Sequence, residues 1–168
     1  EREEALARMR EEEEQAIQSK IESLCRACFV FGDDLQAKIL KATKVFHEVL
    51  EGLEKGVQGK LENLKGIKRD IWAKVHNNLA ACETVAGNWS AVAAHCDAVL
   101  GPAGKDPRNF KALLRRADAR ERLGQTQAAV SDLRKLKSIS PNDKDVAERL
   151  LRLDPALLEA CQGELTEF

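Results

Sequence analysis

Two cationic side chains stand one helical turn apart in the segment "NFKALLRRADARERLG", residues 109 to 124. Because Lys111 and Arg115 are four positions apart, a helix would place them on one face. Such a pair can bind an anion, since lysine supplies a point charge and arginine a rigid fork of donors. The alternative is an ordinary solvated stripe. One helix cannot form a binding site alone, so the surrounding elements decide between the two.

The amino-acid composition limits the kinds of partner and the location that the chain can have. With 27 basic and 28 acidic side chains the net charge is −1, so nothing draws the chain as a whole to nucleic acid or membrane, and any basic site must be local. No stretch approaches the roughly 18 consecutive apolar residues of a membrane span, and the first residues are too acidic for a signal peptide. The five cysteines are odd in number, which favours reduced thiols. We expect a cytoplasmic protein.

The elements that position the two cations are predicted to be helices. Only four prolines and no tyrosine occur, whereas alanine, leucine, lysine, glutamate and arginine are abundant. An offset of 37 residues then superimposes two segments: Asn78-Leu79-Ala80 falls on Arg115-Arg116-Ala117 and Gly87 on Gly124. Each unit therefore reads as a helix, a turn containing glycine, a second helix and an exit containing proline. The same offset aligns the packing positions Val92, Cys96 and Val99 with Ala129, Leu133 and Leu136.

These units, from about residue 70 to residue 141, resemble tetratricopeptide repeats. The resemblance implies an all-α superhelix of about three helix-turn-helix repeats, with C-terminal capping helices and a charged N-terminal helix. The corresponding regions are 1–32 for the N-terminal helix, which includes the first helix of a degenerate repeat in one interpretation, 33–141 for the repeats and 142–168 for the capping helices. Asn142 or Asp143 should begin the first capping helix, and Asp154 with Pro155 the next.

The first repeat is degenerate. The segment "LKATKVFHEVLEGLE" has the Ala42, Phe46 and Val49 spacing of a second repeat helix, although "GDDLQA" at residues 32–37 also looks like the turn and start of such a helix. Its partner would lie within residues 11–31, in a register that the sequence leaves open. Four glycines between residues 51 and 70 predict a loop with a helical turn.

The charged N-terminal helix carries a thin apolar stripe. The stripe consists of Leu6, Met9, Ile17, Ile21 and Leu24. The helix either packs on the first repeat or extends from it into solvent, or its stripe pairs with another chain or docks a neighbouring domain. Pairing with another chain of the same kind would make the protein a homo-oligomer.

Lys74 and Asn78 stand one period of 37 residues before Lys111 and Arg115. Because the first helix of each tetratricopeptide unit lines the concave surface, all four residues are expected on that surface. The segments "NNLAACETVAGNW" and "FKALLRRADA" resemble tetratricopeptide co-chaperones, including large immunophilins. That resemblance implies a carboxylate clamp for the Glu-Glu-Val-Asp tail of a heat-shock chaperone, with Asn78, Lys111 and Arg115 at matching positions and Lys74 on the same ladder.

The first unit departs from that clamp. Where the family has a lysine and an asparagine, this chain has Glu22 and Arg26, or Arg10 and Glu14 in the other register. The sequence therefore leaves three possibilities open: a working clamp, a groove for another peptide, and a purely structural role.

No other motif indicates chemistry. Cys25 and Cys28 lack a second pair at metal-site spacing, and His95-Cys96 fits helix packing better than ligation. His47 and His76 have no evident nucleophile partner, and Trp72 and Trp89 are expected in the core. We expect no catalytic residue, no metal and no cofactor in this chain, and hence a binding protein, not an enzyme; an isomerase domain, if attached upstream, would lie outside these residues.

Overall fold

The computed structural model describes residues 35–63, 65–154 and 156, together with residues 3–5, 7–9, 11–12, 15–17, 19 and 23. From residue 35 onward it contains α1 (Leu35–Gly56), a 3-10 turn (Leu61–Asn63), α2 (Gly66–Ala86), α3 (Trp89–Leu100), α4 (Phe110–Arg122), α5 (Thr126–Ile139) and α6 (Lys144–Leu153). No strand occurs in this described part, which confirms the all-α class. The described residues before residue 24 are helical.

Glycine closes both predicted helical hairpins. Gly87 joins α2 to α3 with a φ of 75°, and Gly124 joins α4 to α5 with a φ of 72°. Only glycine adopts this left-handed conformation without strain, so the chain reverses at these points. After the first reversal, the side chain of Asn88 accepts a hydrogen bond from the backbone N–H of Ala91 and begins α3.

The helices stack in chain order. Each helix from α1 to α6 packs against the next, and α2 also packs against α4. Since α2 and α4 are the first helices of successive units, their contact is the one that stacked tetratricopeptide-like hairpins make. The structure thus has the predicted tetratricopeptide-like architecture.

The positions aligned by the 37-residue period are buried in both units. Val92, Cys96 and Val99 in α3 and Ala129, Leu133 and Leu136 in α5 are each 0% exposed. Ala80 and Ala117, where the first helices cross their neighbours, are also fully buried. Because small side chains let two helices approach closely, these alanines fix the crossing points. The predicted register of the repeat is confirmed.

The degenerate first unit contributes a long second helix. Ala42 and Phe46 are buried in α1 and Val49 packs against the same core cluster, which includes Trp72 and Val75 of α2. Residues 40–54 are therefore helical and packed on the core, and their role as the second helix of a repeat stays a prediction. The position of its partner helix, together with Cys25 and Cys28, lies outside the described residues.

The connection after α1 is shorter than the sequence predicts. Helix α1 continues to Gly56 and α2 begins at Gly66, so much of the glycine-containing segment is helical. Leu50 is buried and Leu53 packs against the same cluster. This tertiary packing outweighs the low helix propensity of Gly52.

Helix α6 covers the last repeat. The side chain of Asp143 accepts the backbone N–H of Val146 at 3.1 Å, as predicted for its start. Val146 and Leu150 are buried against Leu113 and Leu133. The predicted helix after Pro155 lies outside the described residues apart from Ala156. Among the described helices, none combines the length and the apolar character needed to cross a membrane.

Candidate functional site

The four predicted site residues lie on two helices that pack against each other. Lys74 and Asn78 are one turn apart on α2, and Lys111 and Arg115 are one turn apart on α4. Lys74 and Lys111 are exposed, whereas Asn78 and Arg115 are half-buried. Four residues of helix rise about 6 Å along the axis. Each helix therefore carries two polar side chains that a single bound peptide can contact.

The position of the cations on α4 follows from its amphipathic pattern. Ala112, Leu113 and Ala117 are fully buried, which turns Lys111 and Arg115 toward the solvent-accessible side. Asn109 fixes the start of the helix, because its side chain accepts the backbone N–H of Ala112 at 2.9 Å. Lys111 therefore stands in the first turn.

The charge of Arg115 reaches the neighbouring helix. Burial raises the pKa of the Cys96 thiol on α3 to about 12, and the guanidinium groups of Arg115 and Arg116 oppose this effect. Arg115 is therefore close enough to α3 to act on a buried group there. The same burial makes Cys96 an unreactive packing residue, as expected from the sequence.

The first-unit positions of the clamp cannot be added to this site. Glu22, Arg26, Arg10 and Glu14, the alternative matches to the family pattern, all lie outside the described residues. The described site consists of the contributions of α2 and α4.

A buried ionic network supports α4 from behind, and sequence reasoning missed it. Arg116 is 8% exposed and Asp132 on α5 is 1% exposed. The guanidinium of Arg116 donates to both carboxylate oxygens of Asp132, from Nε at 2.9 Å and from Nη2 at 2.6 Å. Arg120 donates to Asp132 at 2.7 Å, and Arg116 donates to Asp97 of α3 at 2.6 Å. The network therefore joins α3, α4 and α5.

Hydrogen bonding keeps Arg116 charged in this setting. Burial by itself lowers the pKa of Arg116, but the bonds to Asp132 and Asp97 outweigh it and raise the pKa. Asp132 is buried with two guanidinium groups beside it, so the charges compensate each other. Because Arg116 directly follows Arg115, this network fixes the backbone that carries Arg115.

The histidines, which the sequence leaves without partners, come together in space. Nδ1 of His76 on α2 lies 3.0 Å from Nδ1 of His95 on α3, so one ring must donate and the other accept. The ring of His47 on α1 is 6.3 Å from that of His95, centroid to centroid. Burial, followed by the charges of His95 and His47, lowers the pKa of His76 to about 4. Burial lowers the pKa of His95 as well, so the contact is between neutral rings at pH 7.

The tryptophans have mainly packing roles. Trp72 is 2% exposed, and its ring meets that of His76 edge-on with centroids 4.2 Å apart. Trp89 is half-buried at the hairpin turn, with the guanidinium of Arg122 5.2 Å from its ring centroid. The predicted core position is confirmed for Trp72. Among the described residues, no group of three or more histidine, cysteine or acidic side chains has the geometry to hold a metal ion.

Several curated proteins are similar to part of this chain. FK506-binding protein-like of Homo sapiens is 38% identical over 76 residues, 45% of this chain and 21% of that protein. Peptidyl-prolyl cis-trans isomerase FKBP42 of Arabidopsis thaliana is 37% identical over 78 residues, 46% of this chain and 20% of that protein. Sperm-associated antigen 1 of Mus musculus is 39% identical over 79 residues, 47% of this chain and 8% of that protein. The match spans about a fifth or less of each relative's length.

Among solved structures, the C-terminal TPR-containing domain of a putative FK506-binding protein of Plasmodium falciparum is similar. It is 21% identical, with a TM-score of 0.49, over 84% of this chain and 95% of that domain. No protein-family model matches the chain. The sequence matches confirm the predicted similarity to immunophilin-type proteins.

Proposed function

We propose that this tetratricopeptide-like chain is a protein-interaction module that binds the carboxylate end of a peptide between α2 and α4. One observation carries the proposal: two packed first helices each present an exposed lysine, with Asn78 or Arg115 one turn further on. A carboxylate placed among these side chains can be contacted from two helices at once.

Each of the four side chains has a distinct part in this proposal. Arg115 offers a planar donor fork that matches the two oxygens of a carboxylate, while Lys111 and Lys74 supply point charges on the two helices. Asn78 provides a neutral donor for the remaining lone pair. Each charge-assisted hydrogen bond is worth about 1.5 to 3 kcal/mol, so losing one should weaken binding about ten-fold or more.

The partner we propose is an acidic C-terminal tail, such as that of a heat-shock chaperone, and we propose that binding takes place in the cytoplasm. The similarity to immunophilin-type proteins supports this choice, because the clamp residues Asn78, Lys111 and Arg115 match the pattern that the sequence resemblance implies. In this proposal the chain acts as a co-chaperone module that needs no cofactor and catalyses no reaction of its own.

Calorimetry with a peptide ending in Glu-Glu-Val-Asp tests the function directly. The free-acid peptide should bind, and the same peptide with an amidated C-terminus should bind at least ten-fold more weakly, because it lacks the terminal carboxylate charge. Absence of heat from the free acid at high micromolar concentration would remove the chaperone assignment.

Charge reversal tests the placement of the site. The double variant Lys111→Glu with Arg115→Glu should abolish binding while the helical circular dichroism is retained. A matched control reverses two exposed lysines on second helices, Lys41→Glu on α1 and Lys135→Glu on α5, with the same change in net charge. Equal affinity of both double variants would show that the peptide binds elsewhere.

A second candidate function is self-association through the N-terminal helix. Met9 is 67% exposed and Ile17 36% exposed, so these two apolar side chains of the predicted stripe can contact another chain. Light scattering before and after deletion of residues 1–20 separates the two candidates. If each protein has the mass of its own monomer, self-association through this segment is ruled out.

A further inference from the structure

A recess lies next to helix α4. It is a cleft of about 360 Å³ between α4 and α6, called here the α4–α6 cleft. Apolar side chains contributed by both helices line its interior: Phe110, Leu114 and Val146. Its other lining residues are charged: Asp118, Asp143, Asp145, Glu148 and Arg149.

The cleft and the cations of the proposed clamp share one helix. Phe110, Leu114 and Asp118 form a stripe at four-residue intervals on α4, next to the stripe of Lys111 and Arg115. Adjacent positions on a helix differ by about 100° around its axis, so the two stripes face neighbouring directions. An extended peptide advances about 3.3 Å per residue, and a ligand whose end reaches Arg115 can therefore pass the cleft within a few residues.

The charge of the cleft is opposite to that of the clamp. Four carboxylates line it against one guanidinium, and that guanidinium is already bound: Arg149 lies 2.6 Å from Asp118 and 3.1 Å from Glu121. Asp145 and Glu148 are exposed and form no ion pair with another described residue. The cleft thus combines an apolar wall with carboxylates that are available to a ligand.

From these contacts we infer that the α4–α6 cleft binds a lysine or arginine side chain of the same peptide, at a position just before its Glu-Glu-Val-Asp end. The inference rests on the proposed function and adds a sequence preference to it. The methylene stem of such a side chain can pack on Phe110 and Leu114 while its charged end reaches Asp145 and Glu148. A glutamate at the same peptide position meets carboxylates and is disfavoured, so the groove selects a peptide by two charges of opposite sign.

A peptide series with a constant end tests this preference. Every peptide ends in Glu-Glu-Val-Asp with a free carboxylate, and lysine, leucine or glutamate is placed in turn at each of the fifth to eighth positions from the end. At one or more positions lysine should bind about five-fold more tightly than leucine and glutamate more weakly still, since exposed ion pairs contribute modestly.

Variants of the cleft assign the preference to its carboxylates. Asp145→Asn with Glu148→Gln should remove the advantage of lysine and leave the affinity of the leucine peptide unchanged. Glu48→Gln with Glu51→Gln on α1 neutralises two exposed carboxylates elsewhere and should preserve the advantage. Asp143 stays unchanged because it caps α6.

The possible outcomes separate this inference from the function on which it rests. If the peptides bind through their free carboxylate but lysine, leucine and glutamate are equivalent at every position, the cleft has no such role and the clamp stands. An advantage of lysine that survives in the cleft variant also overturns the inference. If no free-acid peptide binds better than its amide, the proposed function fails, and the cleft inference fails with it.

Discussion

Replacing Asp132 by alanine should destabilise the protein far more than any change to an exposed charge. The carboxylate of Asp132 accepts three hydrogen bonds from Arg116 and Arg120, at 2.9, 2.6 and 2.7 Å, while only 1% exposed. Asp132→Ala leaves the buried guanidinium of Arg116 with Asp97 alone. Breaking a buried ion pair by removing one partner costs about 3 to 5 kcal/mol, because the remaining charge is left without compensation in a poorly solvated site.

Asp97 provides the matched control within the same network. Its side chain is 55% exposed, although it binds Arg116 at 2.6 Å. Water can replace Asp97 at that guanidinium nitrogen, so Asp97→Ala should cost about 1 kcal/mol or less. Both variants remove a carboxylate from the same arginine, but they differ in burial and in the hydrogen bonds lost, three at Asp132 against one at Asp97.

Equilibrium unfolding in urea measures both costs. In both variants the free energy of unfolding should fall with urea concentration at the wild-type slope, whereas the unfolding midpoints should differ. The double variant Arg116→Met with Asp132→Leu removes both charges of the buried pair, and should be more stable than Asp132→Ala alone. Equal losses for Asp132→Ala and Asp97→Ala, or a double variant less stable than Asp132→Ala, would refute the reasoning from burial.

Two further predictions concern acid sensitivity and the hairpin turns. Lowering the pH from 7 to 4 should remove about 3 kcal/mol of unfolding free energy through His76, because burial holds its pKa near 4 in the folded state against 6.5 ordinarily, so the unfolded chain binds the proton first. Unfolding midpoints of His76→Gln should fall less steeply over this range; a parallel fall in both proteins would exclude His76 as the cause. Gly124→Ala should cost about 1 kcal/mol or more because of its φ of 72°, whereas Gly52→Ala, in the interior of α1 with open space around it, should stabilise by about 0.5 to 1 kcal/mol. Thermal unfolding compares the two glycine variants, and a loss of stability in both would contradict the conformational argument.

The repeat could be predicted from the sequence because the same pattern of residues occurs in two units. Gly87 and Gly124, or Cys96 and Leu133, are required by the same local geometry in each unit, so an offset of 37 residues reveals them without knowledge of the contacts. The helix start at Asp143 was likewise accessible, since a cap depends on residues only three positions away.

The buried polar contacts could not be predicted in the same way. Arg116 and Asp132 are 16 positions apart. The 37-residue offset aligns Arg116 with the buried Leu79, but it does not indicate which acidic side chain would neutralise a buried arginine. His76 and His95 are 19 positions apart on different helices. Their pairing depends on the angle and register at which two helices cross, which the period indicates only coarsely.

The length of α1 shows tertiary packing overriding a local signal. Gly52 and Gly56 predict a loop, yet the helix continues because Leu50 and Leu53 contact the core on the inner side while the glycines meet no neighbour. The proposed site residues could be identified from the sequence by period and resemblance. The cleft could not, because it forms only where α6 packs beside α4.

Helix α4 contributes both to the stability of the protein and to the proposed peptide site. It carries the proposed clamp on one stripe and the wall of the cleft on the next, and Arg116 lies in its buried face. A ligand held by Lys111 and Arg115 therefore requires the backbone that the Asp132 network fixes. If that network acts only through folding, Asp132→Ala should lower peptide affinity only by the fraction of molecules unfolded, and adding a stabilising osmolyte should restore it. A loss of affinity that persists in fully folded protein would instead show that the network also sets the position of the two cations.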